Sequence, residues 1–424
     1  MKIKIDHVAK IEGHGGFIGE IVKGDVKAAI FMVNEGARLL EGILRDRHYE
    51  EASQIAARIC GVCPVVHTLT SIKALEDAMD VAVASETIYL RKLLMLGQII
   101  NSHALHLFFF SLADFFGDKD DLALIKKFPS YTKNALQIRE LGNFLIDKIG
   151  GRSIHPLAAE IGGFKKWPTE ETLNEILKMA QAALPSAIRL ANLFARLKYP
   201  DLQTSFNWAS LVNENEYAIY EGKVRWNGKN EEEQIISEGA FMKLINEFQI
   251  KANPQTKRSH FEEEPYLVGA LARLNNNASL LNLEAKKILE LSGVKLPSRN
   301  PFHNILGQAV EIAHCVEEIV TLIGQRKELK LSKVKNAQWQ PQIGRGYGAI
   351  EAPRGLLFYS YETKDNGDIK ECNIITPTAQ NIARLEEDLK AWLPDLSKKA
   401  SRKRENMIKM LIRSYDPCLT CATH

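Results

Sequence analysis

The chain is poor in cysteine, nearly balanced in charge, and has no uninterrupted apolar run of membrane-spanning length. Six cysteines in 424 residues do not make a disulfide framework. A net charge of +3 is too small to leave an electrostatic footprint for nucleic acid. The start, Met1-Lys2-Ile3-Lys4-Ile5, carries no apolar signal-peptide core. The most apolar stretch, 88–116, is interrupted by Arg91, Lys92, Asn101, His103, His106 and Asp114. That pattern reads as a buried helix and argues against a span. No Gly-Lys-Ser/Thr follows the glycine-dense Gly344-Arg345-Gly346-Tyr347-Gly348, which argues against a phosphate loop. No Gly-x-Gly-x-x-Gly follows a clear strand, and no internal repeat or low-complexity stretch is present. With 45% hydrophobic and 25% charged residues, the chain has the composition of a soluble globular protein with a large core. A reducing cytoplasm is the expected location.

What the chain does have is two Cys-x-x-Cys pairs at opposite ends. The first is Arg58-Ile59-Cys60-Gly61-Val62-Cys63, with His67 shortly after. The second closes the sequence as Asp416-Pro417-Cys418-Leu419-Thr420-Cys421-Ala422-Thr423-His424. Thiolates are soft, strong metal ligands, and each such turn lets two sulfurs face one centre. A fold that joins the chain ends would build a four-thiolate site. On spacing alone, structural zinc and a catalytic or electron-transfer metal both remain open. The remaining cysteines, Cys315 and Cys372, read as small core residues.

Patterning places these motifs. Residues 2–34 read as short antiparallel strands with turns at Gly13-His14-Gly15-Gly16 and Lys23-Gly24-Asp25. Residues 37–59 read as one amphipathic helix that delivers the first pair, with Glu41 about five turns upstream. Further helices are expected over 65–79, 86–116, 134–150 and 169–198, with Thr169 as N-cap and a kink at Pro185. Between 204 and 237 the pattern turns to strands and hairpins; helices are expected again from 238, with a strong one over 303–324. Strands 356–361 and 369–375 flank the turn Asp365-Asn366-Gly367, and helices 378–393 and 402–413 follow. The glycines of 344–348 let backbone approach something closely.

With these elements in place, the sequence resembles the large subunit of the nickel–iron hydrogenases over nearly its whole length. The resemblance rests on Lys10-Ile11-Glu12-Gly13-His14, Glu41, the 58–63 motif with His67, and the helix from His103 to Asp114. It continues through Glu351-Ala352-Pro353-Arg354-Gly355, Thr376-Pro377-Thr378 and the closing Asp416-to-His424 segment. It implies a mainly α fold with peripheral antiparallel β (α+β), built on a central bundle of long helices. We divide this single domain, 1–424, into an N-terminal β region (1–36), a helical part (37–200), a β-rich insertion (201–237) and a second helical part (238–424) holding the hairpin 356–375.

The same resemblance implies the site. Cys60, Cys63, Cys418 and Cys421 bind nickel, and Cys63 and Cys421 bridge to an iron that carries carbon monoxide and cyanide. Arg354 lies over the metals, with Asp114 and Asp416 as acids around it. Thr378, next to Pro377, hydrogen-bonds a cyanide. Glu12 is the proton-relay carboxylate, and His67 and Cys418 belong to the catalytic set. Glu41, the His424 side chain and the Ile374 carbonyl form a magnesium site. Heterolytic cleavage of H2 needs a Lewis acid for the hydride and a base for the proton, and its electrons must then be passed on, which zinc, lacking redox chemistry, does not serve. The chain's end matches the family's mature form, in which an extension beyond the final His has been removed. Short, cytosolic relatives are the nearest branch. The expected partners are a small subunit with iron–sulfur clusters and further subunits carrying flavin and NAD(P), with ferredoxin or heterodisulfide as other acceptors. Two other readings stay open here: a membrane-bound energy-converting complex, and a non-catalytic zinc-tetrathiolate scaffold.

Overall fold

The computed structural model describes residues 1–117, 121–230, 232–326 and 334–424. Residues 118–120, within the polar stretch Gly117-Asp118-Lys119-Asp120-Asp121 that ends the apolar run, lie outside the described residues. Strands β1 (Lys2–Ile5), β2 (Gly15–Val22) and β3 (Asp25–Val33) form an antiparallel sheet in that order. Its alternation is that of a half-buried strand, with Ile3 and Ile5 inward and Lys2 and Lys4 outward. Lys23 and Gly24 both take positive φ, as a tight hairpin turn requires.

The helix expected over 37–59 is broken. It forms α1 (Leu40–Leu44), α2 (Tyr49–Ala56) and a 3-10 turn at Ala57–Ile59. The cause is tertiary: Asp46, at φ 61°, donates its N–H to Ile369 O, and Ile369 returns its own to Arg47 O. These bonds to a distant strand replace the helical ladder, so Glu41 sits on a separate short helix.

Helix α3 (Pro64–Ala78) starts with proline at its first position, where the missing N–H costs nothing. Helix α4 (Ser85–Ala104) runs into a π-helical stretch, Leu105–Ser111, and α5 (Leu112–Phe116). Ser85–Phe116 is apolar and long enough to cross a membrane, but 78% of its apolar window is buried inside the protein. Arg91, in the middle of α4, is paired with Glu76 at 2.6 Å. After α6 (Asp121–Lys127), α7 (Pro129–Gly150) ends on a left-handed Gly151. A short hairpin, β4 (Ala159–Glu160) and β5 (Gly163–Phe164), precedes α8 (Glu170–Ala195). Thr169 caps α8 by accepting the Thr172 N–H, and Pro185 is carried within the helix.

Strands β6 (Asn207–Val212), β7 (Lys223–Asn227) and β8 (Glu233–Ile236) form the β-rich region expected there. Beyond α9 (Glu238–Leu244) the structure departs from the helical expectation: β9 (Ile245–Ile250) and β10 (Asn253–Phe261) form an antiparallel hairpin. Buried polar pairs fix it, with Asn253 bonding the backbone of Val33 in both directions and Arg258 forking onto Glu386. Strand β11 (Tyr266–Leu267) then adds to β6 in parallel.

Helices α10 (Ala270–Asn277), α11 (Leu283–Ser292) and α12 (His303–Gly324) follow. In the bundle, α4 packs on α7, α7 on α8, α8 on α12 and α12 back on α4. The last sheet has the order β12 (Gly344–Ala352), β13 (Gly355–Thr363), β14 (Ile369–Ile375), all antiparallel. The dense glycines belong to β12, and what they approach is α3. A Cβ at Gly346 would lie 2.1 Å from Ala78 N and 2.3 Å from Ala74 O. Helices α13 (Pro377–Ser397), α14 (Ser401–Ser414) and α15 (Leu419–Ala422) close the chain.

Three apolar cores result. One joins the bundle to the β12–β14 sheet, a second joins the N-terminal sheet to α13 and α14, and a third packs β6 and β7 against α9, β10 and the β12–β14 sheet. The final turn spans the first two: Cys418 and Cys421 belong to the first core, Leu419 and Ala422 to the second.

Candidate metal centre

The chain ends meet. The sulfurs of Cys60, Cys63, Cys418 and Cys421 all lie within 4.8 Å of one another. Cys60 Sγ is 3.5 Å from Cys418 Sγ, and Cys63 Sγ is 3.6 Å from Cys421 Sγ. All four residues are at most 3% exposed, so the cluster is closed to bulk water.

Each pair is shaped locally. The 3-10 turn stops at Ile59, and Cys60 is extended. The N–H groups of Val62 and Cys63 then donate to Cys60 Sγ at 3.2 and 3.4 Å. Cys63 is the residue before α3, whose N-terminal dipole favours a thiolate. At the other end Asp416 takes φ 49°, which turns the chain into Cys418. The Cys418 N–H donates to Thr378 Oγ1 at 3.0 Å. Arg38 ties the two pairs together by donating to Ile59 O at 2.7 Å and to Thr420 O.

The donor set fits soft metal ions. Hydrogen bonds from Cys418, Cys421 and Cys63 hold the Cys60 thiol well below its ordinary value. Burial pushes Cys418 and Cys421 well up. Without cations, four buried sulfurs cannot all ionise; with them, all four become ligands. Arg354 is buried beside the cluster. Its Nε donates to Asp416 O at 2.7 Å and its Nη2 to Asp416 Oδ1 at 3.1 Å. Burial opposes its charge, but Asp416 and then the sulfurs of Cys418, Cys63 and Cys60 outweigh that, raising it well above its usual range. Its Nη1 has no protein partner among the described residues, leaving a donor for another group. A narrow cavity here is lined by Cys63, Cys418, Cys421, Arg354, Pro377 and Thr378, with Val66 and Leu357.

His67 packs on the other side. Its Nε2 is 3.6 Å from Cys421 Sγ and its Nδ1 is 2.8 Å from Tyr359 Oη. Burial lowers its pKa to about 3, so the ring is neutral.

Asp114 pairs with Arg413, whose Nε donates to Asp114 Oδ2 at 2.7 Å. Among the described residues, the acid that pairs with Arg354 is Asp416. Asp416 Oδ2 also accepts from Gln308 Nε2 at 3.0 Å, and Gln308 Oε1 faces His106 Nδ1. Glu12 lies against the second pair: its Oε1 accepts from Thr420 Oγ1 at 2.7 Å and its Oε2 from Thr420 N at 3.1 Å.

Glu41, His424 and Ile374 also converge. His424 Nε2 is 2.8 Å from Ile374 O and 3.9 Å from Glu41 Oε1, while its Nδ1 faces Cys421 O. Burial lowers the His424 pKa, so the ring is neutral and has one N–H for two carbonyls. One ring lone pair therefore faces a carbonyl lone pair, either Nε2 toward Ile374 O beside the Glu41 carboxylate or Nδ1 toward Cys421 O. The Lys257 ammonium stands 3.2 Å from both Glu41 oxygens and 3.1 Å from Glu247. Sequence reasoning missed Lys257 and Glu247 because both lie in the hairpin read as helix. It missed Tyr359 and Gln308 because nothing local distinguishes a buried Tyr or Gln that reaches the site.

Comparison with known proteins agrees with this geometry. The sequence matches the family described as nickel-dependent hydrogenase over residues 38–136 and 206–424. It is 33% identical to sulfhydrogenase 1 subunit alpha of Pyrococcus furiosus, covering all of this chain and 98% of that one. It is 26% identical to the NAD-reducing hydrogenase HoxS subunit beta of Cupriavidus necator, covering all of this chain and 94% of that one. Among solved structures, an NAD+-reducing [NiFe]-hydrogenase in the H2-reduced state superposes with a TM-score of 0.91 at 26% identity, over all of this chain and 99% of that one. The chain belongs to the nickel-dependent hydrogenase family, as its large, catalytic subunit.

Proposed function

We propose that Cys60, Cys63, Cys418 and Cys421 all ligate nickel, and that Cys63 and Cys421 also bridge to iron. The observation that carries this is the meeting of four buried sulfurs within 4.8 Å beside an arginine with a free donor. When bound, the metal pair would supply the Lewis acid that takes the hydride half of dihydrogen, with both electrons, leaving one proton for a base. Cys418 Sγ takes the proton, because Arg354 is held charged by Asp416 and has no lone pair to offer. Arg354 would instead offer its unpartnered Nη1 to the anionic cyanide of an iron that also carries neutral carbon monoxide. Thr378 accepts the Cys418 N–H and so has its own proton for a cyanide nitrogen. His67 supports Cys421 as a neutral donor, and Glu12 receives the proton and passes it outward. Glu41, Ile374 O and His424 Nε2 hold magnesium, a hard cation that takes oxygen ligands and keeps several waters.

Electrons leave to a small subunit with iron–sulfur clusters, since this chain's other cysteines, Cys315 and Cys372, are buried apart from the cluster. NAD(P), through a flavin subunit, is the acceptor we favour, on the likeness to an NAD+-reducing enzyme over the full chain. The protein works in the cytoplasm. Metal analysis of the purified complex tests the centre: nickel and iron in roughly equal amounts are expected, with infrared bands of carbon monoxide and cyanide. Zinc alone would reject the reading. Hydrogen-dependent reduction of NAD+ or NADP+ by the complex, against a viologen control, tests the acceptor.

A further inference from the structure

Thr420 lies two residues beyond Cys418, inside α15. Its backbone N–H and its hydroxyl hold both oxygens of Glu12, Oε2 at 3.1 Å and Oε1 at 2.7 Å. The same Oγ1 is 3.7 Å from Cys418 Sγ. A hydroxyl has one proton and two lone pairs. Here the proton is committed to the carboxylate, so the lone pairs are what the hydroxyl offers the sulfur. Leu419 N–H also donates to Glu12 O at 3.0 Å, which fixes the carboxylate's strand against this turn. Of the three bonds that hold Glu12 to α15, only the one through Oγ1 reaches the sulfur.

We propose that Thr420 is a further catalytic residue, whose hydroxyl carries the proton from Cys418 Sγ to Glu12. The S–H bond of Cys418 breaks as a new O–H bond forms on Oγ1. The original hydroxyl proton moves to Glu12 Oε1, and the hydroxyl then turns back. One proton leaves the thiol and one arrives on the carboxylate; no electrons change hands. Glu12 is half-buried, so it can release the proton outward. The step rests on the reading that Cys418 takes the proton and Glu12 receives it.

The test uses the whole, metal-loaded complex carrying Thr420→Val or Thr420→Ser, beside Glu12→Gln. Valine is nearly isosteric and keeps the N–H bond to Oε2. In Thr420→Val, nickel content and the infrared bands of the centre should match the parent. Hydrogen–deuterium exchange between H2 and D2O should fall about 10²-fold, the lower end of what a positioned proton-transfer group supplies. Its carboxyl band for Glu12 should shift, because one hydrogen bond is gone, and Thr420→Ser should restore both readouts. Parent-like exchange in Thr420→Val with a slow Glu12→Gln would overturn the role of Thr420 alone. Parent-like exchange in Glu12→Gln would instead sink the underlying relay. Slow exchange in both Thr420 variants would also overturn the proposal, since then the methyl and its packing matter, not the hydroxyl.

Discussion

Arg354 keeps its place through two bonds to one residue, Asp416, made by the Nε and Nη2 donors along one edge of a planar guanidinium. A lysine ammonium carries the charge but cannot make both bonds in that geometry. Arg354→Lys should therefore retain nickel and iron while turnover drops by about 10²-fold, the usual cost of losing one preorganised donor. Parent-level turnover in a metal-replete variant would remove Arg354 from the mechanism. Glu12→Gln keeps the shape of the carboxylate but not its basicity, so proton exchange should slow with the metals still bound. The cysteines were legible because their chemistry is rare and their spacing short, with His67 close behind the first pair; Arg354 and Glu12 entered only through the family resemblance. The partner of Asp114 was not legible, for a physical reason. An acid at the end of an apolar helix needs a cation, but the sequence offers both Arg354 and Arg413, and only tertiary packing chooses Arg413.

At the scale of elements, local pattern succeeded where an element's own residues decide its form. Helix α12 spans His303–Gly324 as expected, and Thr169 caps α8. It failed where another element intervenes. The 37–59 helix breaks because β14 takes the backbone bonds of Asp46 and Arg47. The β9–β10 hairpin is held by Glu386 and Val33, both remote in sequence. The β12 glycines show the opposite case, in which a loose expectation becomes a sharp constraint. With backbone atoms of α3 within 2.3 Å of a Cβ at Gly346, the helix itself must shift to admit a methyl group. Since α3 begins directly after Cys63, that shift reaches the cluster. Gly346→Ala should destabilise the protein by about 2–3 kcal/mol, an overpacking cost, and should lower nickel retention as well. Thermal unfolding and metal content of the same preparation check both effects.

Across the whole molecule, the cluster is where two of the cores are joined by one short turn, 418–422. Cys418 and Cys421 sit in the bundle's core while Leu419 and Ala422 sit in the core of the N-terminal sheet. No covalent bond holds this joint, since all six cysteines are free. Arg38 to Thr420 and Ile59, Thr256 to Ala422 O, and His424 at Ile374 O are the polar ties. Bound metal adds stability only to the closed form, because the open form brings no four sulfurs together. Chelation should then act locally before it acts globally. Amide hydrogen exchange should quicken at 418–424 and 60–63 on metal removal, while α4, α7, α8 and α12 keep their protection. The amides of Leu419 and Ala422 are direct reporters, since they bond Glu12 O and Cys418 O in the closed form. If exchange at 418–424 is unchanged in the metal-free protein, the turn is held by packing alone and the metal is not what closes the chain. If the bundle loses protection together with the turn, the two cores are one cooperative unit and the joint is not separable from the fold.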